Sequence, residues 1–381
     1  MDKKFLIKTL TELVNIPSYN PPGNEKNIAI KISEILKNFG IFSEINVLDE
    51  ERANVIGIID YSSNGPVIVL NGHLDTVPLN GDWKYNPFKG EINRNRFYGL
   101  GTSDMKGALV SMLCAAKNIV MAKKEFKGKL ILSFVADEER NNLGTLDFLK
   151  RFKNIDYVVI GEPTNLDVVT SNRGCIRLKI KTYGIAGHCS NPNKGINAIY
   201  KMNKIINKLL TYAKYLNNLY NNRSLKPSLS INVIKGGTAE NIIPDACEII
   251  IDRRIIHTEN KDIVEKELIK QIKDIKKYDK EFKFSYKRIE EIDPWKVSDN
   301  SNLLKICKEV YSKVFSKKPK LKDLGGSCEA ALFKKMGLDT IVFGPGNIKQ
   351  AHAKDEYIDI DKMLHASNFY YYLIKNILVK N

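Results

Sequence analysis

Gly72-His73-Leu74-Asp75-Thr76 follows closely on the run Pro66-Val67-Ile68-Val69-Leu70. That run is short, β-branched and continuously apolar, as expected of a parallel strand buried on both faces. His73 and Asp75 therefore sit just past the carboxyl end of a strand, where open α/β sheets bind their ligands. About thirty residues on, Gly101-Thr102-Ser103-Asp104-Met105-Lys106-Gly107 offers a further carboxylate from a Gly-containing loop. Leu130-Ile131-Leu132-Ser133-Phe134-Val135-Ala136 reads as another buried strand and ends in Asp137-Glu138-Glu139. Three adjacent carboxylates repel and raise one another's pKa, so such a turn usually has a cation nearby or open solvent around it. Tyr157-Val158-Val159-Ile160 runs into Gly161-Glu162-Pro163-Thr164, and Thr340-Ile341-Val342-Phe343 into Gly344-Pro345-Gly346 and then Ala351-His352.

Five loops thus offer His73, Asp104, Glu138 or Glu139, Glu162 and His352. Two imidazoles with several carboxylates suit zinc, with cobalt or manganese as alternatives, and lack the thiolates of a structural zinc site. Any one of these residues alone is more simply a cap or a solvated loop residue. The chain has only 5 histidines, however, and two of them fall in loops after strands. The set together points to a metal-dependent hydrolase.

At 381 residues the chain exceeds what one hydrophobic core usually serves, so two domains are expected. Up to residue 172 buried strands alternate with helical stretches such as Lys106 to Val120, the signature of a parallel α/β sheet. Between 173 and 288 the pattern changes: Ile176 to Tyr183 and Leu229 to Ile234 alternate like half-exposed antiparallel strands. Helices are expected at Gly195 to Tyr212 and Lys261 to Lys277, a last strand at Phe282 to Tyr286, and a loop at Tyr215 to Ser228. Leu303 to Val314 and the strand before Gly344 resume the α/β pattern. The fold class expected is therefore α/β, a mostly parallel sheet built from 1–172 and 289–381, with an inserted α+β module at 173–288 that would act as a lid.

Net charge is +16, yet much of the lysine excess lies along amphipathic helical stretches with interleaved acids, as in Glu265-Lys266-Glu267 and Lys270. Solvated helix faces account for this, no nucleic-acid motif is present, and no nucleic-acid partner is expected. A positive surface would instead favour capture of anionic small molecules. No apolar stretch approaches the roughly 20 residues of a membrane-spanning helix, so no membrane partner is expected. The N-terminal segment lacks a signal-peptide core, and the 6 cysteines are scattered with no CxxC pair, which leads us to expect a reduced, cytoplasmic protein.

With these motifs in order, the chain resembles the di-zinc amidohydrolases and exopeptidases that include acetylornithine deacetylase, succinyl-diaminopimelate desuccinylase, aminoacylase and glutamate-releasing carboxypeptidases. The resemblance runs from Leu13-Val14-Asn15-Ile16-Pro17-Ser18 and Asn20-Pro21-Pro22-Gly23 to Ala351-His352-Ala353-Lys354-Asp355-Glu356-Tyr357. It implies a zinc-exopeptidase-like catalytic domain with a lid and dimerisation domain, and two divalent metal ions, zinc or alternatively cobalt. Asp104 would bridge the ions, His73 and Glu162 would complete one site, and Glu139 and His352 the other. Glu138 would be the general base, because a carboxylate that is not a ligand can take a proton from metal-acidified water and return it to the leaving amine. Asp75 would accept the remaining N–H of His73 and fix its tautomer.

The same resemblance gives His188, in Gly187-His188-Cys189-Ser190-Asn191-Pro192, an oxyanion role in cis or in trans, and Arg254 the substrate α-carboxylate, for which a guanidinium fork is suited. Asn241 and the Gly325-Gly326-Ser327 loop would contact substrate, although turn roles explain Asn241, Gly326 and Ser327 about as well. The expected reaction is hydrolysis of the amide bond of an N-acyl amino acid by a homodimer, most closely N-acetylornithine deacetylation in arginine biosynthesis. The alternatives are succinyl-diaminopimelate desuccinylation and dipeptidase or carboxypeptidase activity.

Overall fold

Val67–His73 lies near the middle of a mixed sheet whose strands run in the order Phe42–Val47, Ala53–Asp60, Lys129–Val135, Val67–His73, Tyr157–Ile160, Asp339–Val342 and Val168–Asn172. The four strands from Lys129–Val135 to Asp339–Val342 are mutually parallel, and those flanking them pair antiparallel. The parallel centre is where the sequence runs are continuously apolar: Ile68, Val69, Leu70, Leu132, Val158, Val159 and Ile341 have no exposed surface. The structure, a computed structural model, describes residues 1–62, 64–122, 126–221 and 225–379. No helix among these is long and apolar enough to cross a membrane.

The chain divides into two compact units, one formed by 1–170, 297–322 and 328–381 and the other by 171–296 with 323–327. In the first, Gly107–Met121 is buried on every side from Gly107 to Ala116, a stretch with no charged residue whose one hydroxyl, on Ser111, is bonded to the Gly107 carbonyl. Gly72 and Gly161 both back onto Met105: a Cβ at either would come within 2.4 and 2.6 Å of Met105 Cε. Buried Lys106 donates through Nζ to the carbonyls of Leu13 (3.1 Å) and Ile16 (3.0 Å), satisfying the C-terminal end of the helix Lys3–Val14.

The second unit is a four-stranded antiparallel sheet in the order Ser228–Gly236, Ala246–Ile255, Gly174–Tyr183, Lys283–Ile292. One face carries Ile176, Leu178, Ile180, Ile249 and Ile251, which share a core with Met202, Ile205 and Leu209 of the helix Ala198–Leu219 and Leu268 and Ile272 of Lys261–Lys273. Both helices are capped by an Asn side chain, Asn197 and Asn260.

Two sequence expectations change here. Ala198–Leu219 extends into the segment expected to be a loop, because Leu209, Tyr212 and Leu216 keep the 3–4 residue spacing of a buried stripe; residues 222–224 of that segment lie outside the described residues. The strand expected to stop at Tyr286 continues to Ile292, paired with Gly174–Tyr183 past a bulge at Arg288/Glu290. The second unit therefore runs to Lys296 rather than 288. As an edge strand it faces solvent, so Lys287-Arg288-Ile289-Glu290-Glu291 carries the polarity of a loop.

Candidate metal centre

The ligand candidates all stand in the first unit, and all but Asp104 lie at or after the ends of strands of its large sheet. His73 ends Val67–His73, Glu138 and Glu139 follow Lys129–Val135, Glu162 follows Tyr157–Ile160, and His352 lies in the loop after Asp339–Val342. Asp104 lies in the short turn Thr102–Lys106 that leads into Gly107–Met121, with extended backbone angles (φ −130°, ψ 90°).

These side chains converge. His73 Nε2 is 3.1 Å from Asp104 Oδ1 and 3.9 Å from Glu162 Oε1. His352 Nε2 is 3.0 Å from Glu139 Oε1 and 3.5 Å from Asp104 Oδ2. Asp104 thus faces one imidazole with each carboxylate oxygen. His73, Glu138 and Glu162 offer donor atoms within 4.8 Å of one another, and so do His73, Asp104 and Glu139. His73 is buried, whereas the His352 side chain is 52% exposed.

The electrostatics are those of an acidic cluster short of positive charge. Loss of water, then Glu162, drives the Glu138 carboxyl well above the usual carboxylate range. Glu162 is driven up by the same loss and then by Asp104. Burial alone would lower the His73 imidazole, but Asp104, Glu162 and Asp75 outweigh it and hold the ring well above its ordinary value. Glu139 raises His352 through its hydrogen bond. Glu162 Oε1 is buried with no hydrogen-bond partner among the described residues. An orphaned carboxylate oxygen among two imidazoles and three further carboxylates fits divalent cations, which would neutralise the cluster and occupy its lone pairs.

Carboxylates outside the ligand set hold the loops. Glu356 accepts from the backbone amides of Ser103 (2.7 Å) and Asp104 (3.0 Å) through Oε1 and of Gly101 (2.7 Å) through Oε2. Burial still pushes Glu356 up to about 8. Asp355 Oδ1 accepts from Lys84 N (2.7 Å) and Tyr85 N (3.2 Å), and Asn80 Nδ2 donates to the His352 carbonyl (2.6 Å).

Asp75 departs from the expectation. The hydrogen-bond partner of His73 Nδ1 is the Asp75 backbone carbonyl at 2.9 Å, while the Asp75 carboxylate is 3.6 Å away. That carboxylate instead accepts from the amides of Glu138 and Glu139, both at 3.1 Å, and from Asn20 Nδ2 at 2.9 Å.

The remaining candidates belong to the second unit. His188 lies on the short strand Gly187–His188, paired to Ile242–Ile243, and is exposed with Nδ1 2.8 Å from Ser190 Oγ. Asn241 precedes the partner strand, and its carbonyl accepts from Cys189 N at 3.0 Å. The two arginines separate by strand alternation. Arg253 points inward, fully buried, and pairs with Glu259 at 2.5 Å. Arg254 stands on the other face, 24% exposed, with Nε on Asp252 Oδ1 at 2.8 Å. Arg173 was not singled out from sequence; its Nε donates to the Gly325 carbonyl at 2.8 Å, and burial together with the Arg254 charge lowers its pKa. Gly326 has open space around its Cβ position, and Ser327 closes the 323–327 segment of this unit.

The family model for Peptidase family M20/M25/M40 matches residues 69–376. An acetylornithine deacetylase of Aliivibrio salmonicida is 32% identical over 342 residues, 88% of this chain and 87% of the relative. A succinyl-diaminopimelate desuccinylase of Wigglesworthia glossinidia brevipalpis is 33% identical over 341 residues, 84% of this chain and 86% of the relative. Among solved structures, an aminopeptidase PepT from Bacillus cereus superposes with a TM-score of 0.80 at 18% identity, covering 99% of each chain.

Proposed function

This chain belongs to peptidase family M20/M25/M40, and from that membership and the ligand cluster we propose that it hydrolyses the amide bond of an N-acyl amino acid, N-acetylornithine being the first candidate substrate. The observation that carries the hydrolytic reading is the convergence of His73, Asp104, Glu139, Glu162 and His352 on one centre with Glu138 beside them. The similarity to acetylornithine deacetylases supports the acyl group, and with it a place in arginine biosynthesis.

His73, Asp104 and Glu162 would hold one divalent ion and Asp104, Glu139 and His352 a second, zinc or cobalt, which when bound supply Lewis acidity toward the amide carbonyl and acidify water. Glu138, a carboxylate outside the proposed ligand set, takes the proton of the attacking water and returns it to the leaving amine nitrogen. His188 donates to the oxygen that gains charge as the carbonyl becomes tetrahedral. Arg254 receives the substrate carboxylate through its fork, with Asn241, Gly326 and Ser327 as further contacts. The active form proposed is a cytoplasmic homodimer paired through the second unit, whose sheet has the edge strand Ser228–Gly236.

The similarity to a desuccinylase favours a second reading. A succinyl-diaminopimelate desuccinylase matches as well as the acetylornithine deacetylases do, which keeps an N-succinyl amino acid as the alternative substrate. The deciding experiment compares amine release from N-acetylornithine, N-succinyl-diaminopimelate and a dipeptide panel by the zinc- or cobalt-loaded protein. Preference for the first supports deacetylation; preference for the second or third moves the substrate while keeping the chemistry, and no metal-dependent turnover on any of them overturns the reading.

A further inference from the structure

The turn that bears Glu138 and Glu139 is gripped by a buried network reaching back to the N-terminal segment. Its three successive amides end on carboxylates: Asp137 N donates to Glu25 Oε1 (3.3 Å), and Glu138 N and Glu139 N donate to Asp75 Oδ1 and Oδ2 (3.1 Å each). Asn20 Nδ2 donates to both Asp75 Oδ2 and Asp137 Oδ1, 2.9 Å each. Arg52 closes the network. Its Nη1 pairs with Asp137 and lies 3.9 Å from Glu25 Oε1, while Nη2 donates to Asn20 Oδ1 (2.9 Å) and the Pro22 carbonyl (2.8 Å). Glu25, Asp75 and Asp137 have no exposed surface, and Arg52 only 9%.

Two features argue for more than a stray ion pair. Three buried carboxylates need a cation, and a planar fork is the group that can serve Asp137, Asn20 and Pro22 at once. The backbone also makes room for it: Gly23 has φ +96°, and a Cβ there would lie 2.0–2.2 Å from the guanidinium atoms of Arg52.

We infer that Arg52 is a positioning residue for the proposed hydrolysis, fixing through Asp137 and Asn20 the backbone from which Glu138 and Glu139 project. The inference rests on the roles proposed for those two carboxylates. Arg52 would act on the chemistry only through where they stand.

The test uses full-length Arg52→Gln, Arg52→Lys and Gly23→Ala, with the core variant Leu373→Ala as a control for lost stability. Tm, zinc affinity by competition with a chromophoric chelator, and kcat and KM on the best substrate of the panel are measured. The expected result is that Arg52→Gln and Gly23→Ala weaken one of two zinc ions by about tenfold or more and lower kcat by about tenfold or more, with KM within about threefold. Arg52→Lys should recover part of both losses, and Leu373→Ala should lower Tm while leaving zinc affinity and kcat near wild type. The inference is overturned if folded Arg52→Gln keeps both zinc affinities and kcat within about twofold, or if Leu373→Ala loses them in proportion to its Tm. Should Arg52→Gln not fold, Gly23→Ala and Arg52→Lys are judged by the same criteria. If the wild type turns over no substrate of the panel, the functional reading fails while the zinc affinities still decide the role of Arg52.

Discussion

His73 and Asp75 are joined through the Asp75 backbone carbonyl, 2.9 Å from His73 Nδ1, and the Asp75 carboxylate is occupied elsewhere, by the amides of Glu138 and Glu139. A main-chain acceptor is enough to orient the ring and leave Nε2 for a metal. The side chain of Asp75 therefore serves the opposite loop. Asp75→Asn should keep the metal at the His73 site while kcat falls by roughly 10–100-fold, read from metal content and turnover on the same preparation. Loss of the metal at the His73 site would reverse the assignment.

Glu138→Gln separates proton transfer from metal binding. The amide keeps the shape and removes the base, so metal content should match wild type while kcat drops by roughly 10²–10⁴. Turnover equal to wild type would rule Glu138 out as the proton carrier.

Asp104 faces both imidazoles, and its loss should be felt at both. Asp104→Ala should bind fewer than two zinc ions per chain, measured by elemental analysis after dialysis. Chelation of the wild type should abolish activity, and zinc or cobalt should restore it.

His188 lies on the second unit and outside the ligand set, so His188→Ala should leave metal content untouched. If it stabilises the oxyanion, kcat should fall by about 3 kcal/mol in activation free energy, on the order of 10²-fold. Mixing this variant with the inactive Glu138→Gln chain tests action across a dimer: recovery of activity would place His188 in trans.

Glu25 gives a pH signature in stability. Burial, and then Asp75, raise its carboxyl to about 7. Between its ordinary value and about 7 the folded chain binds a proton that the unfolded chain releases, so stability falls as pH rises through that window. The loss is on the order of 2 kcal/mol. Glu25→Gln should flatten the decline of Tm between pH 5 and 7; an unchanged slope would show that Glu25 is not its source.

The strands and the loops after them were legible in the sequence because a parallel strand buried on both faces is apolar without interruption, and the interruption itself marks the ligand loop. His73, Glu162 and the Asp137–Glu139 turn stand at such interruptions. Sequence could not choose between the carbonyl and the carboxylate of Asp75, since both belong to one residue. Nor could it find Arg52 and Glu25, or tie Asn20 to the Asp137 turn, since the three meet Asp137 across 85, 112 and 117 positions of chain. Adjacent in sequence, Arg253 and Arg254 are told apart only by the strand, which buries Arg253 and leaves Arg254 on the other face.

The side chains proposed for metal and proton chemistry belong to the unit built on the parallel sheet, whereas His188, Asn241 and Arg254 belong to the segment spliced into it between 171 and 296. If both sets of proposed roles hold, substitutions confined to the spliced segment change substrate preference while the metal content of the protein stays that of the wild type.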